Sequence, residues 1–231
     1  MPDIIFNHIL ILKEVILRLE VDDTVFATTA TYFHNIIKSF DLKDFNLHTI
    51  MLGCLRLALK SNEQNRRVSE LIVAYHKTIH KDKQDMEFGD CLEKLQNSVR
   101  NSELFVVRLL NFNLSVDLPY LHLLRIGESL MNWIDQRLVR YQNKYKTIIA
   151  IAWALISDCY FSDFCLKYSP IQIATSALYF ALKIENVPVH FEKDRSKPWY
   201  KVISPEITDD IIENISSKMI MGYILKNETA L

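Results

Sequence analysis

The stretch Ile50-Met51-Leu52-Gly53-Cys54-Leu55-Arg56-Leu57-Ala58-Leu59-Lys60 decides the fold. Wound as a helix it is apolar on nearly every face, through Ile50, Met51, Leu52, Cys54, Leu55, Leu57, Ala58 and Leu59. A helix of that kind has no wet side and belongs at the centre of a domain, surrounded by other helices. It ends on Lys60, where a cation complements the negative end of the helix dipole. Sliding the chain against itself by 123 residues lays Thr24–Lys60 on Thr147–Lys183 without a gap. Thr24 then falls on Thr147, Ala27 on Ala150, Ile50 on Ile173 and Leu55 on Leu178. Apolar helices can align by chance, so the shared ending carries the most weight: Ala58-Leu59-Lys60 recurs as Ala181-Leu182-Lys183. The second stretch is again apolar all round, through Ile173, Ala174, Ala177, Leu178, Phe180, Ala181 and Leu182. A repeat of this length exceeds the usual solenoid unit and indicates a duplicated small domain. With a linker near Ser115–Pro119, the expected domains are residues 1–115 and 116–231.

Outward from these two helices, apolar residues keep a helical period through almost the whole chain, and strand-like alternation is scarce. The fold class is all-α, two tandem five-helix units. The pattern predicts helices near Ile4–Leu19, Thr24–Ser39, Asn46–Lys60, Val68–His80 and Asp90–Leu110. In the second half it predicts Tyr120–Arg137, Lys146–Tyr160, Pro170–Ile184, a short turn around Pro198–Val202, and Thr208–Leu225. Asp22 or Asp23, Asp44, Ser169 and Thr208 are suited to N-caps, and Pro170 to a first helical position.

Composition excludes several classes of function. The 231 residues suffice for a core without disulfides or metals, and 49% hydrophobic with 24% charged residues is ordinary for a folded chain. Only four glycines occur, scattered singly, which disfavours hairpins and phosphate-cradling loops. Net charge is −1, leaving no basic excess for a phosphate backbone or an anionic membrane, so direct nucleic-acid binding is not expected. The first residues show no signal peptide, and no run of about 18 uncharged apolar residues occurs. An intracellular protein, nuclear or cytoplasmic, is expected. Cys54, Cys91, Cys159 and Cys165 contain no close Cys-x-x-Cys pair and read as reduced thiols. Asn113, Asn214 and Asn227 begin glycosylation triplets that an intracellular chain would leave unused. His76 and His80 share a helical face at metal-pair spacing, but Lys77 stands where a zinc-protease motif needs glutamate and no third ligand is apparent, so no metal or cofactor is expected. There is no Gly-rich nucleotide loop, kinase catalytic loop or nucleophile elbow, and no catalytic residue is assigned.

The repeat and its motifs resemble the cyclin family. Leu57-Ala58-Leu59-Lys60-Ser61-Asn62-Glu63 is similar to the cyclin pattern in which a helix ending in Ala-x-Lys precedes two acidic residues. Ser102-Glu103, followed by Leu104, Leu109, Leu110, Phe112, Asn113 and Leu114, looks like the cyclin stretch of an acidic residue, a leucine-rich turn and a Phe-x-Leu sequence. The resemblance implies two five-helix boxes, each around a buried third helix, and a regulatory subunit that binds and activates a cyclin-dependent kinase as a heterodimer. Within the family, Ala152-Trp153-Ala154-Leu155, Cys165-Leu166, Leu178-Tyr179, Lys197-Pro198-Trp199 and Ile211-Ile212-Glu213-Asn214-Ile215 look most like the cyclin Q branch. That would imply cyclin-dependent kinase 10 as the partner.

The residues that the resemblance assigns to kinase binding are Lys60, Glu63, Glu103, Phe112 and Leu114. From spacing alone, Glu103 borders the apolar stripe of Leu92, Leu95 and Val106, so its carboxylate needs a partner. That partner could equally be internal, Lys60 or Arg100. By resemblance, Lys60 gives charge-assisted bonds to kinase carbonyls, while Glu103 holds Lys60 and accepts from the kinase backbone. Phe112 and Leu114 would add apolar contact, although at a helix end they could also be core. Glu63 keeps the second acidic position of the pattern; Asn62 replaces the first, and Ser61 a bulky residue. The first helix has Ile11-Leu12-Lys13-Glu14-Val15 in place of the Met-Arg-x-x-Leu docking sequence of some cyclins, so that site is not expected. Trp199 could anchor a partner but reads better as a staple for a short helix. Two rivals stand beside the kinase activator. One is a cyclin-fold general transcription factor on DNA, which should be markedly basic; the other is a scaffold that activates nothing.

Overall fold

The computed structural model describes residues 2–80, 89–131, 144–189 and 198–228, and every regular element among them is helical. In chain order these are α1 (Pro2–Leu19), α2 (Asp23–Ser39), α3 (Leu47–Ser61), α4 (Val68–Ile79) and α5 (Asp90–Leu109), then α6 (Pro119–Met131) and α7 (Tyr145–Cys159). A 3-10 turn at Asp163–Leu166 follows, then α8 (Pro170–Ile184), the short α9 (Trp199–Ile203) and α10 (Asp209–Glu228). No helix among the described residues is long and apolar enough to cross a membrane. The expected continuation of α6 to Arg137, and Lys197, lie outside the described residues.

Local chemistry sets the boundaries. α8 opens on a capping box: Ser169 Oγ accepts from the Gln172 N–H, the Gln172 side chain accepts from the Ser169 N–H, and Pro170 takes the first helical position. Thr208 Oγ1 accepts from the Ile211 N–H at the start of α10. The cap of α3 is Asn46 and not Asp44, because Asn46 Oδ1 reaches the N–H groups of both His48 and Thr49. Asp22 precedes α2 without capping it. Its carboxylate and N–H are taken by the Gln64 side chain, which ties the α1–α2 turn to the residues after α3.

The chain divides into two compact units, Met1–Val116 with Tyr160–Leu166, and Asp117–Cys159 with Lys167–Leu231. In the first unit α3 lies innermost, packed chiefly on α5 and α2, while α1 lies on α4 and α2. Ile50 to Leu59 of α3 are buried with the sole exception of half-buried Arg56. Tyr160–Leu166 joins this unit through α2. His34, buried on α2, donates Nε2–H to the Tyr160 carbonyl at 2.9 Å, and Phe26 meets the rings of Tyr160 and Phe161. In the second unit α8 is the inner helix, against α7, α6 and α10. Trp199 is buried there, edge-on to Tyr200, whose ring meets Tyr179 of α8 at right angles and so staples α9.

Candidate functional site: a buried carboxylate beneath an open lysine

Gly53 governs the approach of α3 to α5. A Cβ there would stand 2.6 Å from Ser102 Oγ, 3.0 Å from the Ser102 carbonyl carbon and 3.1 Å from the Glu103 nitrogen. Ser102 Oγ donates to the Thr49 carbonyl at 2.9 Å and locks the register of the two helices. With backbones this close, the side chain that follows on α5, Glu103, reaches the cations of α3 one and two turns beyond Gly53.

Glu103 is 7% exposed and pairs through both oxygens. Oε1 accepts from Lys60 Nζ at 2.5 Å, and Oε2 accepts from Arg56 Nε. Arg56 and Lys60 stand four residues apart on one face of α3, so the carboxylate lies across both. Burial of a lone carboxylate would be costly, and two cations with charge-assisted bonds offset it. The three charges sum to +1, and the surplus faces outward, because the Lys60 side chain is 49% exposed against 9% for Glu103 and 19% for Arg56. An ammonium is thus held in place from below with donors left for another molecule. Arg100 turns away from Glu103 to bond Asn97 and Gln96.

Beyond Lys60 the chain turns sharply. Asn62 closes α3: its Nδ2 donates to the Ala58 carbonyl at 2.8 Å and to Thr28 Oγ1 at 3.2 Å. Glu63 follows in the left-handed region at φ 58°, while the Gln64 N–H returns to the Leu59 carbonyl at 2.9 Å. Glu63 is therefore exposed at the tip of the turn. The end of α5 repeats the device, with Asn111 at φ 50° and Phe112 at φ 58°, and the Phe112 N–H bonds the Val107 carbonyl at 3.0 Å. This conformation throws the Phe112 ring outward. At 72% exposed it is the most open of the large apolar side chains described, and Leu104, next to Glu103, is 61% exposed. Leu114 is half-buried, and its carbonyl accepts from the Tyr32 hydroxyl at 2.7 Å, which also lies 3.5 Å from Ser61 Oγ. Burial pushes the Tyr32 phenol above its ordinary range, so it stays a donor linking the tail after α5 to the end of α3.

Lys60 and Glu103 thus meet directly, the Glu63 N–H bonds the Lys60 carbonyl at 3.2 Å in the turn after α3, and Phe112 and Leu114 lie in the segment that follows α5. Phe112 is not a core residue. Sequence reading passed over Arg56, Tyr32 and Gly53. Arg56 carried a signal, as the one charge inside an otherwise apolar helix, four residues before Lys60. The rings of His76 and His80 meet tilted at 56° with centroids 4.8 Å apart, and no group of three or more His, Cys, Asp or Glu side chains that could hold a metal ion exists among the described residues.

Two helical units, each around a buried inner helix, have the architecture of the cyclin fold. Residues 7–115 match the cyclin N-terminal domain. The chain is 25% identical over 189 residues to cyclin pch1 of Schizosaccharomyces pombe, covering 79% of this chain and 51% of that protein. It is 24% identical over 208 residues to cyclin-K of Danio rerio, covering 89% of this chain and 46% of the relative. These similarities support the cyclin family, and the chain spans about half the length of these relatives. A chain in the crystal structure of the yeast RNA Pol II CTD kinase CTDK-1 complex superposes with a TM-score of 0.71 at 15% identity, covering 96% of this chain and 66% of its own length.

Proposed function

We propose that this chain is a regulatory subunit that binds and activates a cyclin-dependent kinase through Lys60, Glu63, Glu103, Phe112 and Leu114, and performs no chemistry itself. The observation that carries this reading is the Lys60 ammonium, fixed by buried Glu103 yet half open, in a unit that also turns Phe112 outward after α5. Lys60 donates to backbone carbonyls of the kinase regulatory-helix segment, and Phe112 supplies the apolar anchor. The gain in activity follows if the chain binds the active arrangement of that helix better than the inactive one. As for which kinase, the motifs of the second half favour cyclin-dependent kinase 10. The similarity to a chain of the RNA Pol II CTD kinase complex favours a second reading, a kinase of the polymerase C-terminal domain.

Coexpression with each candidate kinase, followed by copurification and a phosphorylation assay, tests the proposal and separates the two partners. Copurification without activity would leave a scaffold, and a salt-dependent gel shift with no kinase bound would favour the DNA-binding rival. A folded Lys60→Ala, Glu103→Ala variant that activates normally would refute the site assignment.

A further inference from the structure

The lysine corner of the first unit is built a second time. At the offset of 123 residues Lys60 falls on Lys183, Arg56 on Tyr179 and Glu63 on Asn186. The backbone repeats with them. The Asn186 N–H bonds the Lys183 carbonyl at 3.1 Å and the Val187 N–H returns to the Leu182 carbonyl at 3.0 Å, as Glu63 bonds Lys60 at 3.2 Å and Gln64 bonds Leu59 at 2.9 Å. Asn186 takes the left-handed conformation of Glu63, at φ 52° against 58°. The difference lies in what meets the lysine. Glu103 neutralises Lys60 from within the fold, whereas exposed Lys183 lies over the Tyr179 ring, 4.6 Å from its centroid, and pairs with no carboxylate among the described residues. A ring face attracts an ammonium without neutralising it, so the charge stays available. The neighbouring acids are already taken: Glu185 pairs with Lys144 at 2.8 Å, and Asp209 pairs with Lys201 at 2.8 Å and accepts from the Tyr200 hydroxyl.

Lys183 lines a groove of about 650 Å³ within the second unit and is the one charged side chain among the described residues that line it. Leu182, Val187, Trp199 and Tyr200 are buried and give the groove an apolar floor, with Tyr179 half-buried beside them. Asn186 lines it from the exposed tip of the turn, and its carboxamide makes no side-chain hydrogen bond among the described residues, leaving a donor and an acceptor for a peptide backbone. One cation, a free carboxamide and an apolar floor match a single carboxylate next to an apolar side chain. A phosphomonoester, at about −1.5 to −2 charges, would be only partly compensated by one lysine.

We infer that this groove binds an extended acidic segment of a partner protein, with a carboxylate on Lys183, the segment's backbone on the Asn186 carboxamide and the neighbouring apolar side chain against Tyr179 and Val187. The reading is independent of the kinase assignment, which rests on Lys60 and Glu103 of the first unit. The test is titration of the isotope-labelled full chain with a short capped peptide in which leucine precedes glutamate, followed by NMR of backbone and asparagine side-chain amides. Parallel titrations use versions with glutamine for the glutamate, serine for the leucine, and phosphoserine for the glutamate. The expected result is saturable shifts at Lys183, Asn186 and Val187 with the glutamate peptide, and about tenfold weaker binding of the glutamine peptide and of the glutamate peptide to Lys183→Gln. Lys183→Arg should keep the affinity, and Asn186→Gly, which preserves the left-handed turn but removes the carboxamide, should weaken it. Melting temperature and kinase copurification should stay unchanged in the Lys183 variants. No saturable shift at millimolar peptide, equal binding of the glutamine or serine peptide, tighter binding of the phosphoserine peptide, shifts confined to the first unit, or full affinity in Lys183→Gln would overturn the inference.

Discussion

Gly53→Ala probes the contact on which the Lys60–Glu103 geometry depends. In an exposed helix this change would stabilise by about 1 kcal/mol, since alanine is the better helix former. Here the added methyl meets Ser102 Oγ at 2.6 Å and the Ser102–Glu103 peptide at 3.0 and 3.1 Å. The hydroxyl can rotate away, but it then abandons the Thr49 carbonyl, a loss of about 1 kcal/mol. The peptide group can only retreat with α5. Overpacking of this kind costs roughly 1–3 kcal/mol. Propensity and the lost hydrogen bond roughly cancel, leaving a net destabilisation of about 1–3 kcal/mol, and α5 carries Glu103 away from Arg56 and Lys60 as it moves. Urea unfolding followed by circular dichroism, with kinase affinity measured on the same preparation, reads both effects. The expected outcome is a lower midpoint with weakened kinase binding. A variant stabilised by the full helix-propensity gain, with unchanged affinity, would refute the close approach of α3 and α5. The repeat places buried Ser176 at the matching position of α8, so the second unit tolerates a side chain where the first does not.

Phe112→Ala removes a ring that is 72% exposed, so unfolding free energy should change by less than about 0.5 kcal/mol while kinase affinity falls by about 2 kcal/mol or more, measurable by calorimetric titration. Arg56→Ala and Lys60→Ala should separate in the opposite sense: the first takes a half-buried partner from buried Glu103 and should cost roughly 1–3 kcal/mol in urea unfolding, whereas the second leaves Arg56 in place, costs less, and loses the kinase. Stability should also fall in mild acid. Burial holds the imidazoles of His34 and His48 below their ordinary pKa, so the unfolded chain binds protons that the folded chain refuses. Their contribution is complete above about pH 6.5 and declines as pH falls below it toward the depressed folded values, which urea midpoints at pH 7.5 and 5.5 will show, with a smaller difference in His34→Gln.

Much of the architecture was legible because helical periodicity is a strong signal where apolar residues dominate. The start of α8 was legible in Ser169 and Pro170, whose capping chemistry is local, while the part of Gln172 in the capping box was not read. Asp44 and Asn46 are both competent caps two residues apart, and only the path of the chain selects Asn46. That Glu103 needs a partner was legible, but spacing left Lys60 and Arg100 both open, and Arg56 was not anticipated, since a lone arginine on an apolar helix can as easily extend its head to water. The outward turn of Phe112 depends on a left-handed backbone at a non-glycine residue, which sequence does not announce. The attachment of Tyr160–Leu166 to α2 rests on the His34 bond across 126 residues of sequence, beyond the reach of periodicity.

The most direct test of the central claim is the phosphorylation rate of the cognate kinase titrated with the wild-type chain and with a Lys60→Ala, Phe112→Ala variant whose melting temperature is unchanged. If Lys60 and Phe112 carry the activation, the wild type activates saturably and the variant not at all at the same concentrations. Equal activation by the two would contradict it.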